Sequence, residues 1–138
     1  MQNKENQIMI HYVIELDNMY GVDIHTHGLN KFKHPELQLV LPFEQNEIAN
    51  FVNWLANKVI TGQDIYKEGE RLGLLTDNYR LWFIEVNDPF EEGMKELRII
   101  YPDENNHMPW EKDCDEYYQG QIADISPEKI REVLSKCN

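Results

Sequence analysis

The stretch "YRLWFIEVNDPFEEGMKELRIIYP" (Tyr79 to Pro102) decides the fold class. In its first part Tyr79, Leu81, Phe83 and Glu85 face one way, while Arg80, Trp82, Ile84 and Val86 face the other. Aromatic and β-branched residues at period two predict a strand. Lys95 to Pro102 predicts a second strand, closed by "DENN". The loop "NDPFEEGM" between them is eight residues long, too short for a helical crossover. The two strands are therefore expected as antiparallel neighbours.

Upstream, "LQLVL" (Leu37 to Leu41) is a short continuous apolar run, as in a strand buried on both faces, and Pro42 ends it. A helix follows, with Ile48, Phe51, Val52, Leu55, Val59 and Ile60 on one stripe. Glu44 and Glu47 stand near its positive end, Gly62 stands where a closing glycine belongs, and Asn50, Asn53 and Asn57 lie opposite the stripe. "YKEGERLG" reads as turns. Further upstream, Ile8, Ile10, Tyr12, Ile14 and Leu16 alternate. "DNMYG" offers a turn, and Asp23 to Gly28 is a second strand, so a hairpin is expected. Downstream, "EKDCDEYYQGQIAD" reads as a loop. "SPEKIREVLSKC" reads as a closing helix over 126–137, with Ser126 as N-cap, Pro127 as first helical residue, and Ile130, Val133, Leu134 and Cys137 as its stripe. The expected fold is α+β: a mainly antiparallel sheet with two or more helices packed on it.

The 138 residues suit a single domain, with a flexible polar tail over 1–7. Apolar residues at 41% suffice for a core. No run of about 18 apolar residues is present, and "MQNKENQ" has no apolar signal segment, so the cytoplasm is the expected location. Cys114 and Cys137 form no Cys-x-x-Cys pair and are expected reduced. Thirteen basic residues against 25 acidic ones give a net charge of −12. That balance disfavours nucleic acid and anionic membranes, and favours a basic protein partner.

Three of the five histidines lie in "DIHTHGLNKFKHPEL" (Asp23 to Leu37). On a strand His25 and His27 share a face, and a His-x-His pair can ligate zinc, iron or copper, with His34, His11 or Asp23 as a third ligand. Solvated or hydrogen-bonded histidines without metal are the commoner outcome, and no His-Glu-x-x-His motif follows. Nucleophilic chemistry is weaker: there is no Gly-x-Ser-x-Gly, Ser126 and Ser135 fall in the closing helix, and acids surround Cys114. Thr26 is expected to hold a ligand or a backbone group. No phosphate loop or dinucleotide fingerprint is present, and no cofactor is assigned. Glu36, after Pro35 and before an apolar strand, is either a poised acid or base or, more commonly, a structural carboxylate. Among the aromatics, Trp82 is assigned to the core, and Trp110, beside Pro109, is the better candidate to stack a planar ligand.

"THGL" (Thr26 to Leu29), "HPEL" (His34 to Leu37), Pro42 before a helix ending "ANKVITG", and "YPDENNHMPW" (Tyr101 to Trp110) occur in this order. In these motifs, from about Ile8 to Asp115, the chain resembles the bacterial family called domain of unknown function 4262, which also occurs in phage. The resemblance implies no established reaction. Thr26, Gly28, His34, Pro35, Glu36, Asp103, Pro109 and Trp110 match the family pattern, and a shared pocket would be lined by them. Tyr101 stands where the family usually has Trp. His25 and His27 replace an aromatic and an aliphatic residue, so the pair looks particular to this chain. The segment between Val86 and Lys95 is shorter than in relatives.

Three functions rank in this order. The first is a non-enzymatic binding protein for a small, planar, nucleotide-like ligand, using His25, Thr26, His27, His34, Glu36, Tyr101, Asp103 and Trp110. By analogy this extends to the viral anti-defence sponges that sequester signalling nucleotides. The second is an acidic immunity or inhibitor protein that meets a basic partner through runs such as "EKDCDEYY". The third is a metal-dependent enzyme built on His25 and His27. A homodimer through sheet edges is compatible with each.

Overall fold

The computed structural model describes residues 9–15, 21–41, 45–74, 79–87 and 93–136; for 9–15, 21–23, 41, 45 and 46 it describes the backbone only. Among the described residues there are six strands: β1 (Met9–Glu15), β2 (Gly21–His27), β3 (Glu36–Leu41), β4 (Gly69–Leu72), β5 (Arg80–Asn87) and β6 (Lys95–Ile100). The α-helices among the described residues are α1 (Gln45–Ile60), α2 (Glu116–Gln119) and α3 (Pro127–Lys136). The strands form one sheet in the order β1-β2-β3-β6-β5-β4. Every neighbouring pair is antiparallel except β3 with β6, which is parallel. The fold is α+β, as the sequence predicts.

β5 and β6 pair from Trp82↔Ile100 to Asn87↔Lys95, the expected antiparallel neighbours. β1 and β2 form the expected hairpin, from Met9↔His27 to Glu15↔Gly21. The parallel pair has a topological reason. The chain leaves β3 through α1 and returns only after β4 and β5, a connection long enough for a parallel neighbour.

The alternation in β5 and β6 feeds two cores. Leu81, Phe83, Leu97 and Ile99 meet Ile24, Leu37, Leu39 and the α1 stripe of Ile48, Val52, Leu55 and Val59. Trp82, Ile84 and Ile100 meet Met108 and the α3 residues Ile130 and Val133. Each such aliphatic side chain, fully buried, contributes roughly 1.5–3 kcal/mol relative to exposure. α1 turns its asparagines Asn50, Asn53 and Asn57 to solvent, as expected. It ends in a Schellman motif. Gly62 has φ +75, its N–H donates to Val59 O, and Gln63 N–H donates to Lys58 O. Ser126 Oγ accepts from Lys129 N–H at 3.1 Å, the cap expected for α3. No helix among the described residues is long and apolar enough to cross a membrane.

Two expectations are corrected. Gly69–Leu72, read as turns, is an edge strand paired with β5. Only Gly69 in it is buried, so no apolar alternation announces it. Part of the expected loop "EKDCDEYYQGQIAD" is the single turn α2, followed by a 3-10 turn over Gly120–Ile122. Pro42, Glu44, Leu16 and Cys137 lie outside the described residues.

Candidate functional site

The Thr26 to Leu37 segment folds around one carboxylate. β2 ends at His27, and Gly28 takes φ +118, a left-handed conformation that favours glycine. A 3-10 turn, Leu29–Phe32, follows with its first N–H groups unpaired within the turn. Glu36, at the start of β3, satisfies them. Its Oε2 accepts from Gly28 N–H and Asn30 N–H, both at 3.1 Å. Its Oε1 accepts from Leu29 N–H at 3.1 Å and from the Thr26 hydroxyl at 2.7 Å. Thr26 Oγ1 in turn accepts from Leu37 N–H at 3.0 Å. The fork Thr26–Glu36 therefore clamps the end of β2, the turn and the start of β3 together.

His34 does similar work at longer range. It is buried, with Nδ1 2.7 Å from Pro35 O and Nε2 accepting from Tyr66 N–H at 3.0 Å. An Nε2 that accepts fixes the neutral tautomer with its proton on Nδ1. The imidazole thus ties the turn before β3 to the chain after α1. Tyr66 packs edge-on to it at 5.9 Å and stacks on Phe83 at 4.9 Å.

Asp103 organises the segment from Tyr101 to Trp110. Its Oδ1 accepts from Asn105 N–H and His107 N–H at 2.9 and 2.8 Å, and its Oδ2 accepts from Asp115 N–H at 2.9 Å. His107 Nδ1 lies 3.5 Å from Oδ2. Burial pushes this carboxyl's pKa up, but the N–H groups of His107, Asp115 and Asn105, with the His107 charge, outweigh it and hold it below 3.8.

The aromatic candidates separate. Tyr101 packs in the α1-side core, between Phe51 at 5.2 Å and Tyr79 at 5.6 Å. Trp110 packs in the α3-side core, edge-on to Trp82 at 5.0 Å. They do not form one wall. Trp82 is core, as expected.

His25 and His27 lie side by side, ring centroids 5.1 Å apart, His25 buried and His27 exposed. Among the described residues no three His, Cys, Asp or Glu side chains gather into a metal-binding group. Of the third ligands considered, His34 has both nitrogens engaged elsewhere, and the side chains of His11 and Asp23 lie outside the described set. Cys114 is a buried free thiol, and burial, then Asp103, Asp115 and Glu111, push its pKa up to about 11. It stays protonated at neutral pH.

Sequence reasoning missed the most buried cation. Arg98, in the apolar run of β6, donates from Nε to Gln38 Oε1 at 2.8 Å and from Nη1 to Gln121 O at 2.9 Å. A fork to Asp124 completes it, with Nη2 to Oδ2 at 3.0 Å. Against the cost of its burial, this guanidinium holds the Asp124 carboxyl below its usual range. The arginine inside "KELRIIYP" was the available signal. A cavity of about 380 Å³ adjoins it, lined by Glu85, Lys95, Arg98, Asp124, Ser126 and Lys129. Arg98 is committed to Asp124 and Lys129 to Glu68, so its charge is balanced from within.

Compared with protein-family models, curated proteins and solved structures, the chain matches none. What the geometry itself defines is a hydrogen-bonded scaffold. Thr26, His34, Glu36 and Asp103 present their polar atoms to the chain's own backbone and, for Thr26 and Glu36, to each other.

Proposed function

We propose that this chain is a non-enzymatic binding protein whose partner is a basic protein, in the manner of an immunity or inhibitor protein. The supporting observation is a division of polar groups. The motif carboxylates and His34 are spent inside the fold, while acids such as Glu85, Glu104, Asp113 and Glu116 are exposed. These exposed acids give a partner an acidic surface, in a chain whose net charge is −12. A nucleotide-like ligand needs polar side chains turned toward a cavity. Here Thr26, His34, Glu36 and Asp103 turn theirs toward the backbone, so that reading ranks second. A metal-dependent reaction at His25 and His27 ranks third, for want of a third donor among the described side chains. The cytoplasm is the compartment that fits a protein with a reduced Cys114.

The test is the salt dependence of association with a partner recovered at low salt. Between roughly 0.1 M and 1 M salt the Debye length shrinks from about 10 Å to about 3 Å. The association rate is expected to fall steeply over that range, with a smaller change in dissociation. A rate indifferent to salt overturns the proposal.

A further inference from the structure

α2 and the 3-10 turn after it each turn one residue inward. Tyr118 and Gln121 are buried, and Gln121 is bonded to Tyr101 at both of that residue's backbone polar groups, 2.7 Å to N and 2.8 Å to O. Tyr117, one position earlier than Tyr118, is 69% exposed, among the most exposed large apolar side chains described. It borders a groove of about 540 Å³ lined by Glu116, Tyr117, Gln119, Gly120 and Ala123.

Three features make this groove more than an exposed turn. First, it is rigid. Asp115 caps α2 by accepting from Tyr117 N–H at 2.9 Å, Asp103 holds Asp115 N–H, and Gln119 Nε2 donates to Cys114 O at 2.9 Å. A partner would lose little binding energy to ordering such a surface. Second, Gly120 has φ −60 and ψ −20, dihedrals that any residue adopts. Backbone geometry does not require glycine there, and Gly120 lines the groove. Third, the surroundings are acidic. Glu104, Asp113, Asp115 and Glu116 are exposed on the segment that carries the groove, with Lys112 the one basic Lys or Arg from 103 to 124. Burial first, then the charges of Glu104, Asp115 and Asp103, raises the pKa of the neighbouring Tyr118 phenol.

We infer that the groove beside Tyr117 is where this protein receives a basic segment of its partner, an Arg or Lys lying over the Tyr117 ring and an apolar neighbour seated over Gly120 and Ala123. The inference rests on the basic-partner reading above and adds the place and the chemistry. An aromatic face attracts a cation, and an exposed tyrosine beside an apolar recess is the usual composition of a binding hot spot. A second copy of this chain does not suit the groove, because two surfaces of net charge −12 repel. Nucleic acid is repelled for the same reason.

The test is a titration of the full ¹⁵N-labelled chain with the capped peptide Arg-Arg-Leu-Arg-Arg, followed by amide shifts. The same peptide with Gln in place of Arg is the control. Shifts are expected to concentrate over Glu116 to Ala123 and to vanish with the Gln peptide. Tyr117→Ala and, separately, Gly120→Met should each weaken binding about tenfold. Glu128→Gln with Glu132→Gln, on α3, should weaken it much less. Urea unfolding of each variant checks that the fold is intact. Shifts spread over every acidic face and unchanged by Tyr117→Ala overturn the groove but leave the basic-partner reading standing. No shift anywhere overturns both.

Discussion

Glu36 carries the residue-scale lesson. A carboxylate before an apolar strand has the sequence signature of a catalytic acid and of a structural one alike. Its four donors, three backbone N–H groups and the Thr26 hydroxyl, decide between them. Glu36→Gln puts an NH2 where an acceptor is required and leaves part-buried donors unpaired, a loss of about 1–3 kcal/mol in urea unfolding. Thr26→Val, nearly isosteric, strands Leu37 N–H and costs a similar amount, roughly 1–3 kcal/mol, whereas Thr26→Ser restores most of it. Stability equal to the parent chain in both Glu36→Gln and Thr26→Val would refute the clamp. Asp103 supplies a pH dependence. Its folded pKa lies below the ordinary 3.8, so the unfolded chain binds its proton first as pH falls. Its stabilisation is complete above the ordinary value and is lost as pH drops through the lower, folded one. Asp103→Asn should remove part of the acid limb of a stability-versus-pH curve below about pH 4 and lower the plateau above it. An acid limb of unchanged slope would show that other carboxylates carry it.

At the scale of elements, two glycines separate conformation from space. Gly62 closes α1 at φ +75 with nothing within 4 Å of an added Cβ. Gly62→Ala is therefore pure backbone strain, about 1 kcal/mol or more. Gly120 needs no left-handed freedom, so Gly120→Ala should be neutral or stabilising by about 0.4–1 kcal/mol. Thermal unfolding of the two variants checks the contrast, and equal losses would contradict it. The same distinction explains which elements were legible in the sequence. β5, β6 and α1 were, because their apolar residues recur at period two or along one stripe and are buried. β4 was not, because an edge strand with three exposed residues has no period to read. Nor was α2, a single turn held by Asp115 and Gln121 rather than by its own propensity. The parallel pairing of β3 with β6 depends on partners about 60 residues apart in sequence, beyond any local pattern.

For the whole molecule, polar residues singled out in the sequence turn out to hold the fold together. Thr26, His34, Glu36 and Asp103 are all structural hubs, and composition does not distinguish a hub from a site when both are polar residues at strand ends. Tyr117 went unremarked because an exposed tyrosine in an acidic run acquires meaning only beside a groove. What the whole molecule keeps for the outside is charge, and the proposed function rests on that surface. A native mass spectrum of the full chain, purified from cells at low salt and without chelator, tests this most directly. Expected is the mass of the bare chain, or that mass plus a whole basic protein released by salt. A small molecule or metal bound in stoichiometric amount would contradict it and return the function to His25, His27 or a ligand pocket.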